Sequence, residues 1–212
     1  VLAAVLIGGA MSLSGAAYQG MFKNPLVSPD ILGSSAGAGF GAAVGILLSF
    51  SVAGVKTSSF VCGILAVSLT WFISQRFGKG SDNLFLLILG GIIVSNLFQS
   101  LISLVKYAAD PTDKLPAITF WLMGSLSKAT MQDVKIMLVP FAVCTGILIF
   151  CSGQLNILAL GDEEAKTLGV NTVLLQGFVI VTATVLTAFS VSFCGMIGWV
   201  GLVVPHLARM MI

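Results

Sequence analysis

The pentapeptide GSSAG, residues 33–37, carries the Gly-x-Ser-x-Gly spacing of a hydrolase nucleophile elbow, which would make Ser35 an attacking hydroxyl. That chemistry needs a strand before the serine, a helix after it, and an acid and a histidine to take its proton. Here the motif opens an apolar helical run instead, so no hydrolytic site is expected. FGKGS, from Phe77 to Ser81, is the nearest thing to a phosphate-binding loop. The glycine five residues before Gly78 is missing, however, and Gly80 stands where Ser or Thr should follow the lysine. It reads as a plain loop, and the chain carries no ATPase of its own. Cys62, Cys144, Cys151 and Cys194 all lie in apolar runs, with no CxxC pair and one histidine in the whole chain. They read as small buried hydrophobes, not metal ligands. No catalytic residue, and no metal or cofactor bound by this chain, is expected.

An ion-coupled carrier would hold acidic or basic groups within its spans, because those groups carry the ion. The middles of the apolar runs here lack them. The nearest are His206 and Arg209 in VVPHLARMM, three apart and so on one helix face behind Pro205. The histidine is either a hydrogen-bonded packing element or a proton relay. Gly91, Ser95, Gln99 and Ser103 recur every fourth residue through an apolar run. That small, polar stripe either lines a hydrophilic passage or makes hydrogen bonds between helices. Energy for any transport is expected to enter from outside this chain.

The densest charge lies in ALGDEEAKTLGVNT, residues 159–172, where Asp162, Glu163, Glu164 and Lys166 fall within five positions. Gly161 and Gly169 bound the segment, its acidic residues sit in the first turn where the helix dipole favours them, and a lysine follows. The pattern predicts a short capped helix and not a solvated loop. Lying between two spans, it must stand outside the bilayer. With Ala165 and Leu168 on one side, it is shaped as a peg for a groove in another protein.

The composition says what must hold these residues in place. With 57% hydrophobic and 8% charged residues and a mean hydropathy of +1.07, the chain has too little polar side chain to cover a soluble domain. It is expected to be an integral membrane protein. A net charge of +2, with its basic residues scattered, gives no reason to expect nucleic acid as a partner.

Ionisable residues punctuate the spans, each of which needs about 20 apolar residues. Runs at 1–22, 31–55, 57–75, 83–105 and 136–161 each suffice, and 167–208 holds two helices with CGMIG as the turn between them. Seven spans result. Leu115 to Ser127 is apolar but too short, and reads as interfacial or re-entrant. The runs are continuous and not alternating, which excludes a β-barrel. The expected fold is therefore all-α, a polytopic transmembrane bundle forming one domain over residues 1–212. Small residues at every fourth position, Gly8–Ser12–Ala16–Gly20 and Gly33–Gly37–Gly41–Gly45, predict close helix approach, within the chain or between subunits. If the loops alternate sides, Lys23, Arg76, Lys79, Lys166 and Arg209 face Lys56, Lys106, Lys114, Lys128 and Lys135 across the membrane, so charge bias does not set the orientation. Apolar sequence at both ends suggests a fragment of a longer protein.

Three motifs in this order resemble a known family. NPLVSPDILGSSAG follows the first small-residue helix, LGDEEAKTLGV stands between two spans, and GMIGWVGLVVPHLAR comes near the end. Together they are similar to the permease subunits of ABC importers for iron-siderophores, haem and vitamin B12, over the whole of residues 1–212. The residues that match are Asn24, Pro25, Leu26, Pro29 and Gly33 in the first motif. In the second they are Gly161, Glu163, Glu164, Ala165, Leu168 and Gly169, and in the last Gly198, Gly201, Pro205, His206 and Arg209. The charged segment is also similar to the wider EAA…G loop of importers, although Gly169 falls one residue early and Lys166 replaces an alanine.

The resemblance implies ten-helix subunits in a prokaryotic cytoplasmic membrane, paired as homodimers or close heterodimers. Two ATPase subunits would use ATP and Mg on the cytoplasmic side, and a binding protein would dock outside. It makes residues 159–172 a cytoplasmic coupling helix that inserts into the ATPase. It also puts NPLVSPD and the end of PHLAR toward the cytoplasm, and the Gly91–Ser95–Gln99–Ser103 face on the translocation pathway. The rival reading, a secondary transporter or channel without an ATPase, would need ionisable residues in helices this sequence does not contain.

Overall fold

The computed structural model describes residues 1–77, 83–127 and 129–211. The glycines, lysine and serine of FGKGS lie outside the described residues. Nine α-helices run through them: α1 (Leu2–Met21), α2 (Ser34–Leu47), α3 (Val52–Phe77), α4 (Asn83–Ala108), α5 (Lys114–Leu122), α6 (Met131–Leu160), α7 (Asp162–Thr167), α8 (Thr172–Cys194) and α9 (Val200–Met210). The all-α bundle read from the sequence is the observed fold. Helices α1, α3, α4, α6 and α8 are long and apolar enough to cross a membrane, while α2 and α9 are apolar but only 14 and 11 residues long. The stretch expected to be non-spanning is α5, nine residues long.

Several boundaries differ from the charge punctuation: Lys106 lies inside α4 and Lys135 inside α6, and two further cases have a clear cause. Lys56 lies inside α3, not between spans, and its Nζ stands 4.6 Å from the centre of the Phe193 ring. A long alkyl stem and a cation–π contact let a lysine sit within a helix that a charge count would end. Helix α2 stops early because Ser49 takes a left-handed conformation, φ 58°, and the amides of Ser49 and Phe50 turn back to the carbonyls of Ile46 and Gly45. Its 14 residues rise only about 21 Å, short of the bilayer core.

The chain packs as two compact units. The first comprises Val1–Pro29, Thr130–Thr187 and Gly198–Ile212, and the second Asp30–Ala129 and Ala188–Ile197. In the first unit, α1 meets α8 through hydroxyls. Ser14 and Thr187 share a 2.8 Å hydrogen bond, Ser14 donates to the Ala183 carbonyl, and Tyr18 lies 3.2 Å from Thr184. Such bonds hold helices together where lipid offers no hydrophobic drive. The ridge expected on α1 is not where the helices close up, since Gly8 and Gly20 have nothing within 4 Å of where a β-carbon would stand. The close approach falls on Gly15 instead. Helix α6 begins with a capping box: Thr130 Oγ1 accepts from the Asp133 amide at 3.2 Å, and Asp133 accepts from the Thr130 amide at 3.0 Å.

In the second unit the glycine ridge of α2 performs as its spacing predicts. A β-carbon at Gly37 would stand 2.5 Å from the Cys62 carbonyl oxygen, and one at Gly41 would overlap that of Ser58. Ala43, Val105, Ala109 and Ile118 form a buried cluster that seats α5 against α2 and α4. Where α4 turns into α5, Asp110 accepts from the Thr112 hydroxyl and from the Thr112 and Asp113 amides at 2.6, 2.8 and 3.3 Å. These bonds hold the exposed Asp110 carboxyl below the usual carboxylate range, the Thr112 hydroxyl contributing most.

Candidate coupling helix and signature loops

The charged segment folds as the short helix α7, and the two glycines that bound it supply conformations other residues resist. Gly161 ends α6 and begins α7 with φ 151° and ψ 154°, a region nearly confined to glycine. At the other end Gly169 is left-handed, φ 81°, its amide bonded to the Lys166 carbonyl while the Val170 amide reaches that of Ala165. This pair of bonds is a Schellman cap.

Within α7 the side chains divide by role. Ala165 is fully buried, whereas Leu168 is 61% exposed. The expectation that these two share one face is therefore corrected. The helix ends at Thr167, and Leu168 already belongs to the capping turn that swings it away from the face Ala165 buries. Glu163, Glu164, Lys166, Thr167 and Leu168 form the outward surface. Lys166 pairs with Glu163 at 3.1 Å across one turn, with both groups exposed. Asp162 is turned elsewhere: it accepts from Lys23 Nζ, at the end of α1, at 3.2 Å.

The first and last signature motifs meet at Gln19, a residue the motif reading passed over. Its side chain is buried, and its Nε2 donates to the carbonyls of Val27 and Leu202 at 3.3 Å each. Its Oε1 accepts from Arg209 at 2.7 Å. One amide thus ties α1, the loop that follows it, and α9. Only its position marked it, a glutamine one turn from the end of an otherwise apolar helix. Pro29 packs on Gly201, where a β-carbon would overlap its ring, and Asn24 Oδ1 accepts from the Leu26 amide at 2.9 Å. Pro25 and Leu26 are exposed, Pro205 is buried inside α9, and His206 is half-buried. Gly198 has open space around it, and the neighbouring Trp199 is left-handed at the start of α9. Beside this junction lies a cavity of about 470 Å³ lined by Leu13, Gly20, Lys23, Ser152, Asn156 and Arg209, among others. The ends of α1 and α9 and the helix α7 therefore share one end of this unit.

Gly33 is left-handed, φ 89°, and caps α2. Ser35, the would-be nucleophile, lies in the first turn of α2 and donates to Asp30. The stripe on α4 splits in two. Gly91 lies against the Ile31 backbone and Ser95 against Gly33, whereas Gln99 and Ser103 are exposed.

The family model of the FecCD transport family matches residues 1–212. The chain belongs to this family. It is 42% identical over its full length to the molybdate import system permease protein MolB of Haemophilus influenzae, and 37% identical over 221 residues to the hemin transport system permease protein HmuU of Yersinia pestis. It spans 62% and 64% of those two proteins. A solved structure described as an inward-facing conformation of a metal-chelate type ABC transporter superposes with a TM-score of 0.92 at 41% identity, covering 100% of this chain and 67% of that one. The alternative of a carrier without an ATPase is not favoured.

Proposed function

We propose that this chain is part of the membrane permease subunit of an ABC importer, in the cytoplasmic membrane of a prokaryote. The observation that carries the reading is α7. It is a six-residue helix capped by two glycines, anchored inward by Ala165 and Asp162, and presenting Glu163, Glu164 and Leu168 to a partner. The occupant of that surface is an ATPase subunit, one for each of two permease subunits, and ATP and Mg are used there and not in this chain. A substrate-binding protein delivers the cargo on the opposite side.

Transport then proceeds by alternating access. ATP binding favours one arrangement of the ATPase pair, α7 moves with it, and the packed helices follow as bodies between two discrete states. Gln99 and Ser103, on the exposed half of the α4 stripe, are the pathway candidates. Gly91 and Ser95 serve instead to seat α4 against the turn before α2. The cargo class is a metal in complexed form, as the family resemblance and the metal-chelate transporter suggest, with an iron-siderophore first. A second reading, molybdate, is favoured by the 42% identity to the molybdate permease. Proteoliposomes containing the full-length permease and its ATPase, supplied with binding protein loaded with molybdate or with a ferric siderophore, test both. Uptake that requires ATP supports the proposal, and ATP-independent uptake contradicts it.

A further inference from the structure

Lys23 stands at the position that ends α1, where its own amide bonds to the Gly20 carbonyl and the next amide, that of Asn24, to the Gln19 carbonyl. This is a second Schellman cap, and its left-handed residue is usually glycine. Lys23 adopts φ 52° there, at a cost a glycine would not incur. A strained residue kept at such a site points to work done by its side chain. Ser49 fills the same position after α2, and its hydroxyl likewise makes a contact, accepting from Lys114 Nζ at 2.5 Å. The Lys23 ammonium reaches Asp162, the first residue of α7, at 3.2 Å, with the two side chains 34% and 37% exposed.

Behind that contact the attachment continues. One turn back along α1, Gln19 is bonded to Arg209 of α9. One turn further, Gly15 and Gly201 bring the two backbones together. Whatever holds the end of α1 to α7 therefore also links α7 to α9. We propose that Lys23 is a positioning residue, a strut that makes the end of α1 move with α7 and so passes the displacement of α7 to the α1–α9 pair. The proposal rests on the coupling reading of α7, and assigns to this ion pair the route by which motion of that helix reaches α1, beside its covalent joins to α6 and α8.

The test uses the full-length permease with its ATPase in lipid nanodiscs, carrying spin labels at Leu26 and Thr167, both exposed. The distance between the labels is measured without nucleotide and with ATP and vanadate. In the otherwise unaltered protein and in Lys23→Arg, the distance distribution is expected to be the same in both states. In Lys23→Gly, which keeps the cap and loses the ammonium, and in Asp162→Asn, a second population should appear with nucleotide. The strut is overturned if Lys23→Gly or Asp162→Asn keeps the single distribution, if Lys23→Arg loses it, or if the unaltered protein itself shows two. Failure of the underlying reading shows separately, as a Thr167 label whose mobility does not change when the ATPase is added.

Discussion

Gly15 of α1 lies directly against the backbone of Gly201 in α9. A β-carbon at position 15 would overlap the Gly201 carbonyl oxygen and stand 2.6 Å from its carbonyl carbon. Gly201 is equally confined, since its own β-carbon would stand 2.7 Å from the Met11 carbonyl oxygen. Two glycines facing each other let the backbones touch, and the Gln19–Arg209 bond then fixes the register of the two helices.

Gly15→Ala is therefore expected to destabilise the protein by about 1–3 kcal/mol, because the obstacle is backbone and cannot rotate away. Gly8→Ala, two turns earlier on the same helix, meets nothing within 4 Å and should stabilise by roughly 0.5–1 kcal/mol through helix propensity. Thermal unfolding of the two variants in detergent measures the contrast. Equal shifts would mean that α1 and α9 do not cross at Gly15.

Gly161→Ala places a β-carbon where the Glu164 carboxylate folds back, and forces alanine into a backbone region that is nearly glycine's alone. The expected cost is about 1–3 kcal/mol, confined to the α6–α7 junction. Hydrogen exchange should show faster opening of the α7 amides, with α1 and α8 protected as before. Unaltered α7 protection would contradict the observed junction.

Asp110 gives a pH dependence of known sign. Its carboxyl is held below the ordinary value of 3.8, so the stability it contributes is present above that value and is lost as the pH falls through the lower, folded-state one. The turn between α4 and α5 should keep its protection against exchange at the Thr112 and Asp113 amides down to pH 4, and lose it in more acid solution. In Asp110→Ala those amides should exchange faster even at neutral pH. An unchanged rate there would show that the side chain does not organise the turn.

Much of this architecture was legible in the sequence, for identifiable reasons. Apolar runs declare their helices, and the glycines around DEEAKT declare a short helix, because few backbone conformations suit only glycine. The ridge on α2 makes the contact its spacing predicts, whereas within this chain the close approach on α1 falls on Gly15 and not on Gly8 or Gly20. Spacing by four shows that a face is small, but Gly15 became the contact because the hydroxyls of Ser14 and Tyr18 turn their side of α1 toward α8. Lys56 was taken for a boundary between spans, whereas a ring receives its charge inside α3. Leu168 was assigned to the wrong face because a helix of six residues ends before its periodicity does. Gln19 and Lys23 carried no motif. Their roles depend on partners more than 130 residues away in sequence, Asp162 for one and Leu202 and Arg209 for the other.

The central claim is that the outward surface of α7 receives the ATPase. The direct measurement is binding-protein-stimulated ATP hydrolysis by the full-length permease–ATPase complex in liposomes, comparing the unaltered protein with the double variant Glu164→Lys, Leu168→Asp. Both side chains are exposed, so the variant should insert in the membrane normally. Stimulation should fall to the rate of the ATPase alone. Full stimulation in a normally inserted double variant would contradict the account.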